Sequence, residues 1–164
     1  MTSRQNTLLP IAILLFFIAI GAASCGDKYV YKAEKSIQQA QWVYPDTLDF
    51  KMPVADTSQL YNLYINFVHA DTFPHQNIYL KLSTRFPDGK RVSRIRSFDL
   101  FDTEGKPKGE CSSSKCETKI LLQDKLYFNQ AGDYLLTLEQ YTRTSPLTGI
   151  SAVGIMLEKT DKKR

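Results

Sequence analysis

The sequence predicts an all-β protein, an antiparallel β-sandwich of about seven to eight strands behind an N-terminal lipoprotein signal and a short tether. Three observations point there. Segment after segment beyond Trp42 alternates apolar and polar residues with the period of two that a half-buried strand requires. Turns rich in Gly, Pro and Asp separate these segments. Helical periodicity is scarce, with one weak candidate over residues 33–41. Many short strands with such punctuation suit a sandwich better than a helical bundle or an α/β fold.

The chain begins differently. No residue from Gln5 to Gly26 carries a charge, and residues 8–20 are densely apolar. As a helix at ~1.5 Å per residue this run spans roughly 20 Å, short of a ~30 Å bilayer core. Arg4 precedes it and the small residues 21–24 follow, which is the layout of a signal peptide. The end of the run, Ala22-Ala23-Ser24-Cys25, resembles a lipobox, the cleavage site of bacterial lipoproteins. In such signals the cysteine thiol is diacylated and becomes the new N-terminus. One acyl chain binds a membrane only marginally, whereas two or more hold firmly. Residues 1–24 are therefore read as signal peptide, 25–41 as lipid anchor and tether, and 42–164 as the β-sandwich domain.

The strands follow in order. Residues 47–52 form the first candidate. In "YNLYINF", Tyr61, Leu63, Ile65 and Phe67 share one face and Asn62, Tyr64 and Asn66 the other. "NIYLKLSTRF", 77–86, repeats the pattern with Ile78, Leu80 and Leu82 inward. The turn "PDGK" should join it to 91–101 as a hairpin, with Pro at an early turn position and Gly89 at positive φ. Further candidates are 117–122, 133–141 with Leu136 inward, and 150–158 with Ile155 inward. A domain of this length can bury one modest core.

Loss of residues 1–24 would remove one of 21 basic residues and none of the 17 acidic ones, leaving 20 against 17. So mild a balance, without a dense basic block, gives nucleic-acid binding little support. With Cys25 assigned to lipid, Cys111 and Cys116 remain. Two cysteines five positions apart in an exported chain read as one disulfide pinning the Ser-Ser-Ser-Lys loop. A lone C-x4-C with no histidine nearby is weak as a zinc site.

Catalytic candidates are few. His69 and His75 flank one turn, where solvated loop histidines are commoner than metal ligands. Asp99, Asp102 and Glu104 lack the alternate spacing of a calcium loop and read as a polar turn. There is no G-x-S-x-G, H-E-x-x-H or phosphate loop. No enzyme activity, cofactor, metal or small-molecule ligand is expected. Exposed tyrosines are the more informative feature, because a flat apolar ring with a polar tip suits protein interfaces and sugars. Tyr64, Tyr79 and Tyr141, with Arg143, form the candidate interaction surface.

The lipobox cysteine, "QNIYL", "GDYLLTLEQ" with Arg143 close behind, and "LTGISAVGIMLEK" together resemble the GldH family of gliding motility lipoproteins of Bacteroidetes. The resemblance runs along nearly the whole chain after the signal. It implies a small cell-envelope lipoprotein linked to gliding motility, a machinery that overlaps with type IX secretion and with use of insoluble polysaccharide, and it brings no catalytic residue. The expected partners are the membrane, through the acylated N-terminus, and other envelope motility or secretion proteins. A carbohydrate-binding module is the alternative. The residues after Cys25, Gly26-Asp27-Lys28, offer neither an acid-rich run nor an aspartate next to the cysteine. The expected location is therefore the outer membrane, on its periplasmic face.

Overall fold

The computed structural model describes residues 28–164; the expected signal peptide and Cys25 lie outside the described residues. Eleven strands make up about two thirds of the described residues: β1 (Tyr29–Ser36), β2 (Gln41–Trp42), β3 (Thr47–Val54), β4 (Gln59–Ala70), β5 (Asn77–Arg85), β6 (Arg91–Asp99), β7 (Glu110–Ser112), β8 (Lys115–Leu126), β9 (Gly132–Gln140), β10 (Leu147–Thr148) and β11 (Ile150–Lys163). A five-stranded sheet has the order β1-β11-β4-β8-β7 and a four-stranded sheet the order β3-β9-β5-β6, with β2 and β10 paired separately. Every pairing is antiparallel. The expected β-sandwich is the observed fold.

The period of two does the work the sequence assigned to it. Leu63, Ile65, Leu80, Leu82, Leu136 and Ile155 are all buried in one core, with Trp42, Phe50, Phe67, Ile78 and Leu138. Residues that alternate with them point outward into solvent or, on β11, under neighbouring side chains. Burying one such aliphatic side chain contributes roughly 1.5–3 kcal/mol. Trp42 is fully buried, and its ring N–H is satisfied by Asp46 O at 2.8 Å. The PDGK hairpin forms as expected: Gly89 has φ 85°, its N–H donates to Phe86 O at 2.9 Å, and Asp88 Oδ1 accepts from Lys90 N at 3.0 Å.

The structure corrects the reading of 25–41 as anchor and tether over the part it describes, from residue 28 on. Tyr29–Ser36 is no tether but an edge strand, in register with β11 from Tyr29↔Glu158 to Ser36↔Ala152. Tyr31 and Ala33 pack against the core and Ile37 belongs to it. The weak helix over 33–41 shrinks to one 3-10 turn, Gln38–Ala40. The domain therefore begins at Tyr29, not Trp42. Edge strands tolerate charge on both faces, and Lys32, Glu34 and Lys35 blur the alternation that would have revealed this one.

The sandwich has two distinct ends. The chain enters at Lys28, beside the ends of β8 and β11, the start of β9 and the β5–β6 turn. An aromatic group closes this entry end: Tyr61 on Phe128 at 5.6 Å, Phe128 on Tyr134 at 4.7 Å, and Tyr134 on Phe86 at 5.6 Å. The far end carries His69, Phe73, Phe101, Ile150 and the β7–β8 hairpin.

Candidate interaction surface

The sequence-selected tyrosines divide between two faces. Tyr79 on β5 and Tyr141, just past β9, meet on the outer face of the four-stranded sheet, where Tyr141 N donates to Tyr79 O at 2.8 Å. They are 46% and 55% exposed, among the most solvent-accessible large hydrophobic residues in the domain. Arg143 is exposed in the adjoining loop. Buried Gln140 anchors that loop. Its side-chain N–H donates to Thr144 O at 3.1 Å, and its Oε1 accepts from Thr142 N at 3.0 Å and Thr142 Oγ1 at 2.6 Å. Tyr44, which the sequence reading did not select, joins the patch: it is 48% exposed and its hydroxyl donates to Thr142 O at 2.9 Å. Such anchoring holds aromatic rings out in water at small further entropy cost, a property of binding surfaces.

Tyr64 does not share this surface. It lies on the outer face of the five-stranded sheet, half-buried beneath Lys119 Nζ, which sits 4.2 Å from its ring centroid. The same ammonium donates to the Tyr29 hydroxyl. Lys28 pairs with the largely buried Glu158 at 2.5 Å beside them. Tyr64 is thus engaged in a cation–π contact with Lys119, and that face of its ring is occupied within the protein.

At the far end, Cys111 and Cys116 stand opposite each other on β7 and β8 and are joined by a disulfide, which closes the two-residue turn Ser113-Ser114. Gly109, just before β7, lies so close to β8 that an added Cβ would fall 2.0 Å from Glu117 O. His69 is buried: Nδ1 donates to Ala70 O at 2.8 Å, and Nε2 shares a hydrogen with Thr118 Oγ1 at 2.9 Å. His75 is exposed and packs edge-on against Phe73 at 5.5 Å. The two histidines do not converge. Asp102 Oδ1 accepts from Glu104 N at 2.9 Å and Lys106 N at 2.8 Å, while Asp99 pairs with Lys108 at 3.2 Å, so these acids stitch a turn. Among the described residues no three His, Cys, Asp or Glu side chains gather as a metal site would need.

One feature escaped the sequence reading altogether. Beside the entry end, where β6 faces β8 across the open side of the sandwich, a cleft of about 290 Å³ runs between the sheets. Its floor includes Leu63, Leu82, Leu122 and Leu136, and the inward row of β6 places Val92, Arg94 and Arg96 at its mouth. Arg96 Nη1 donates to Leu122 O at 2.9 Å and so bridges the two sheets. The strand "RVSRIRSF" looks unremarkable in sequence because each of its two rows mixes apolar residues with polar or charged ones.

Comparison with known proteins gives the family. A model described as GldH lipoprotein matches residues 29–157, from the first residue of β1 into β11. The chain belongs to the GldH lipoprotein family. The GldH relatives include the "Gliding motility lipoprotein GldH homolog" of Christiangramia forsetii, 26% identical over 155 residues that cover 90% of this chain and 94% of the relative. Another is the "Gliding motility lipoprotein GldH" of Flavobacterium johnsoniae, 28% identical over 165 residues, covering 96% and 98% respectively. Solved structures are more distant. A cellulose-specific carbohydrate-binding module overlaps at a TM-score of 0.41 with 10% identity, covering 73% of this chain and 71% of that one. A protein from Sulfurospirillum deleyianum overlaps at 0.39 with 12% identity, covering 80% and 99%. Likeness at that level carries no functional argument.

Proposed function

We propose that this protein is a lipid-anchored, non-catalytic assembly component of the envelope machinery for gliding motility and its associated type IX secretion. The observation that carries the reading is the family match, which runs through the entire sandwich and not through a shared fragment. Both curated relatives are named as gliding motility lipoproteins and align over nearly their full lengths. Acylated Cys25 would hold the protein at the periplasmic face of the outer membrane. Tyr79, Tyr141, Tyr44 and Arg143 would be the contact surface for a protein partner, because exposed and well-anchored Tyr and Arg are enriched where partners bind. Cross-linking in intact cells, followed by capture and identification of bound proteins, tests the contact. Tyr79→Ala with Tyr141→Ala should abolish a specific cross-link while leaving the protein's abundance unchanged. An unaltered cross-linking pattern would remove the surface from consideration. Protease added to intact cells should spare the protein until the outer membrane is opened.

The pair of neighbouring exposed tyrosines also favours a second reading, an envelope carbohydrate-binding module. Depletion of the protein from solution by insoluble polysaccharide, lost in the same double variant, would support that reading over a protein contact.

A further inference from the structure

We infer that the cleft between β6 and β8 is a binding site for a single long-chain carboxylate, its acyl chain lying on the apolar floor and its anionic head at Arg94. The reading extends beyond the motility role, rests on the proposed acylation of Cys25 only for its nearness to the bilayer, and departs from the sequence expectation that no small molecule binds.

The argument starts from the inward row of β6. Opposite Ile78, this row has Phe98, which packs on Phe67 at 5.4 Å and closes the sandwich normally. Opposite Leu80 and Leu82 the same row has Arg96 and Arg94. Two guanidinium groups thus take places that would otherwise hold core side chains, and the sheets do not meet there. Inward charge on an edge strand also discourages edge-to-edge association, but that role needs no cleft behind it. Arg96 is engaged by the Leu122 carbonyl. Among the described residues no salt bridge or side-chain hydrogen bond engages Arg94, although it lines the cleft. A guanidinium fork beside an apolar slot matches a carboxylate attached to a hydrocarbon chain.

Size and position agree with this occupant. At the ~30 Å³ that a small liquid-density group takes, the volume of about 290 Å³ holds roughly ten such groups, so the cleft takes the head-side part of one long chain, whose remainder extends beyond it, and not two chains. Most of the lining is aliphatic and aromatic; of its two amides, Asn129 Oδ1 already accepts from Arg164 Nη1 at 3.5 Å, which leaves Gln123 without a second free amide to form the pair a sugar would need. The cleft opens beside the entry end, where Lys28 follows Cys25 by three positions. With Cys25 anchored, that end faces the bilayer, the source of acyl chains.

The test uses the full lipidated chain in phosphatidylcholine nanodiscs, labelled with a diazirine-bearing palmitic acid and mapped by peptide mass spectrometry. Saturable labelling should fall on peptides from β6 and β8. Palmitate should compete at least about tenfold better than hexadecanol, which lacks the charge, and Arg94→Gln should erase that difference. Val92→Trp, a substitution at an exposed position of the mouth, should block labelling while the melting temperature stays within a few degrees. Labelling elsewhere, equal competition by acid and alcohol, full labelling of Val92→Trp, or displacement of the probe by a soluble oligosaccharide would each overturn the assignment.

Discussion

Ile37→Ala separates two accounts of the N-terminal segment. If residues 26–41 were a tether, Ile37 would be solvated and its truncation nearly silent. In the structure it is 7% exposed within the main core, and its N–H donates to Ser151 O at 2.8 Å, fixing the turn after β1 against β11. Removing three carbons from such a site forfeits their transfer free energy and leaves a cavity, which together cost about 2–5 kcal/mol. Trp42 is the only tryptophan in the chain and is fully buried, so its fluorescence reports unfolding directly. Urea titrations of wild type and variant should give parallel transitions, with the variant midpoint lowered by about 1–2.5 M for a slope near 2 kcal/mol/M. Val30→Ala, on the same strand but 54% exposed, provides the control and should cost less than about 0.5 kcal/mol. A loss below about 0.5 kcal/mol for Ile37→Ala would refute the placement of this segment in the core.

Other outcomes follow from the same contacts. Leu80→Ala, at a fully buried position of β5, should cost about 2–5 kcal/mol by chemical denaturation. Breaking the Cys111–Cys116 link with paired serines should cost at most the low end of ~2–4 kcal/mol, because the closed loop is short; calorimetry with and without reductant checks this. Acid should weaken the fold through two turns. Asp56 accepts from Ser58 Oγ and Ser58 N, and Asp88 accepts from Lys90 N, which holds both carboxyls below their ordinary pKa. A lowered folded-state pKa gives stability that is present above the unfolded value, ~3.9, and is lost as pH falls through the folded one. Asp56→Asn with Asp88→Asn should therefore flatten the decline in melting temperature below about pH 4, and an unchanged decline would exclude these turns.

The central strands were legible because each buries one face only. In β4, β5 and β9 the middle of the inward row is apolar without a break, from Tyr61 to Phe67, Ile78 to Leu82 and Tyr134 to Leu138, and these residues sit where the alternation put them. The edges were not legible for a physical reason. Strands at a sheet margin are selected for charge and brevity as much as for burial, so β1 passed for a tether and β7 lay hidden in a cysteine loop. The candidate surface was half readable. Exposed Tyr79 and Tyr141 stand one strand apart in sequence-predictable rows, but nothing in the sequence says that Lys119 covers Tyr64. Tyr44 and Arg94 acquire their settings from long-range contacts, a loop from residue 142 and a facing sheet, for which local periodicity has no signal.

Moving the domain boundary from Trp42 to Tyr29 changes how an acylated Cys25 would work. The slack between lipid and fold drops from the width of a flexible linker to Gly26 and Asp27, followed by a lysine already paired to Glu158. On so short a leash the body cannot swing freely or search a wide radius. Acylated there, it would stand on the lipid surface, and its own length would set its working height. Twelve residues of β4 at ~3.3 Å each give roughly 40 Å from the entry end to the disulfide hairpin. A partner would therefore have to present its surface within that fixed band above the membrane, and lengthening the leash with inserted glycines should uncouple the protein from it without touching a single contact residue.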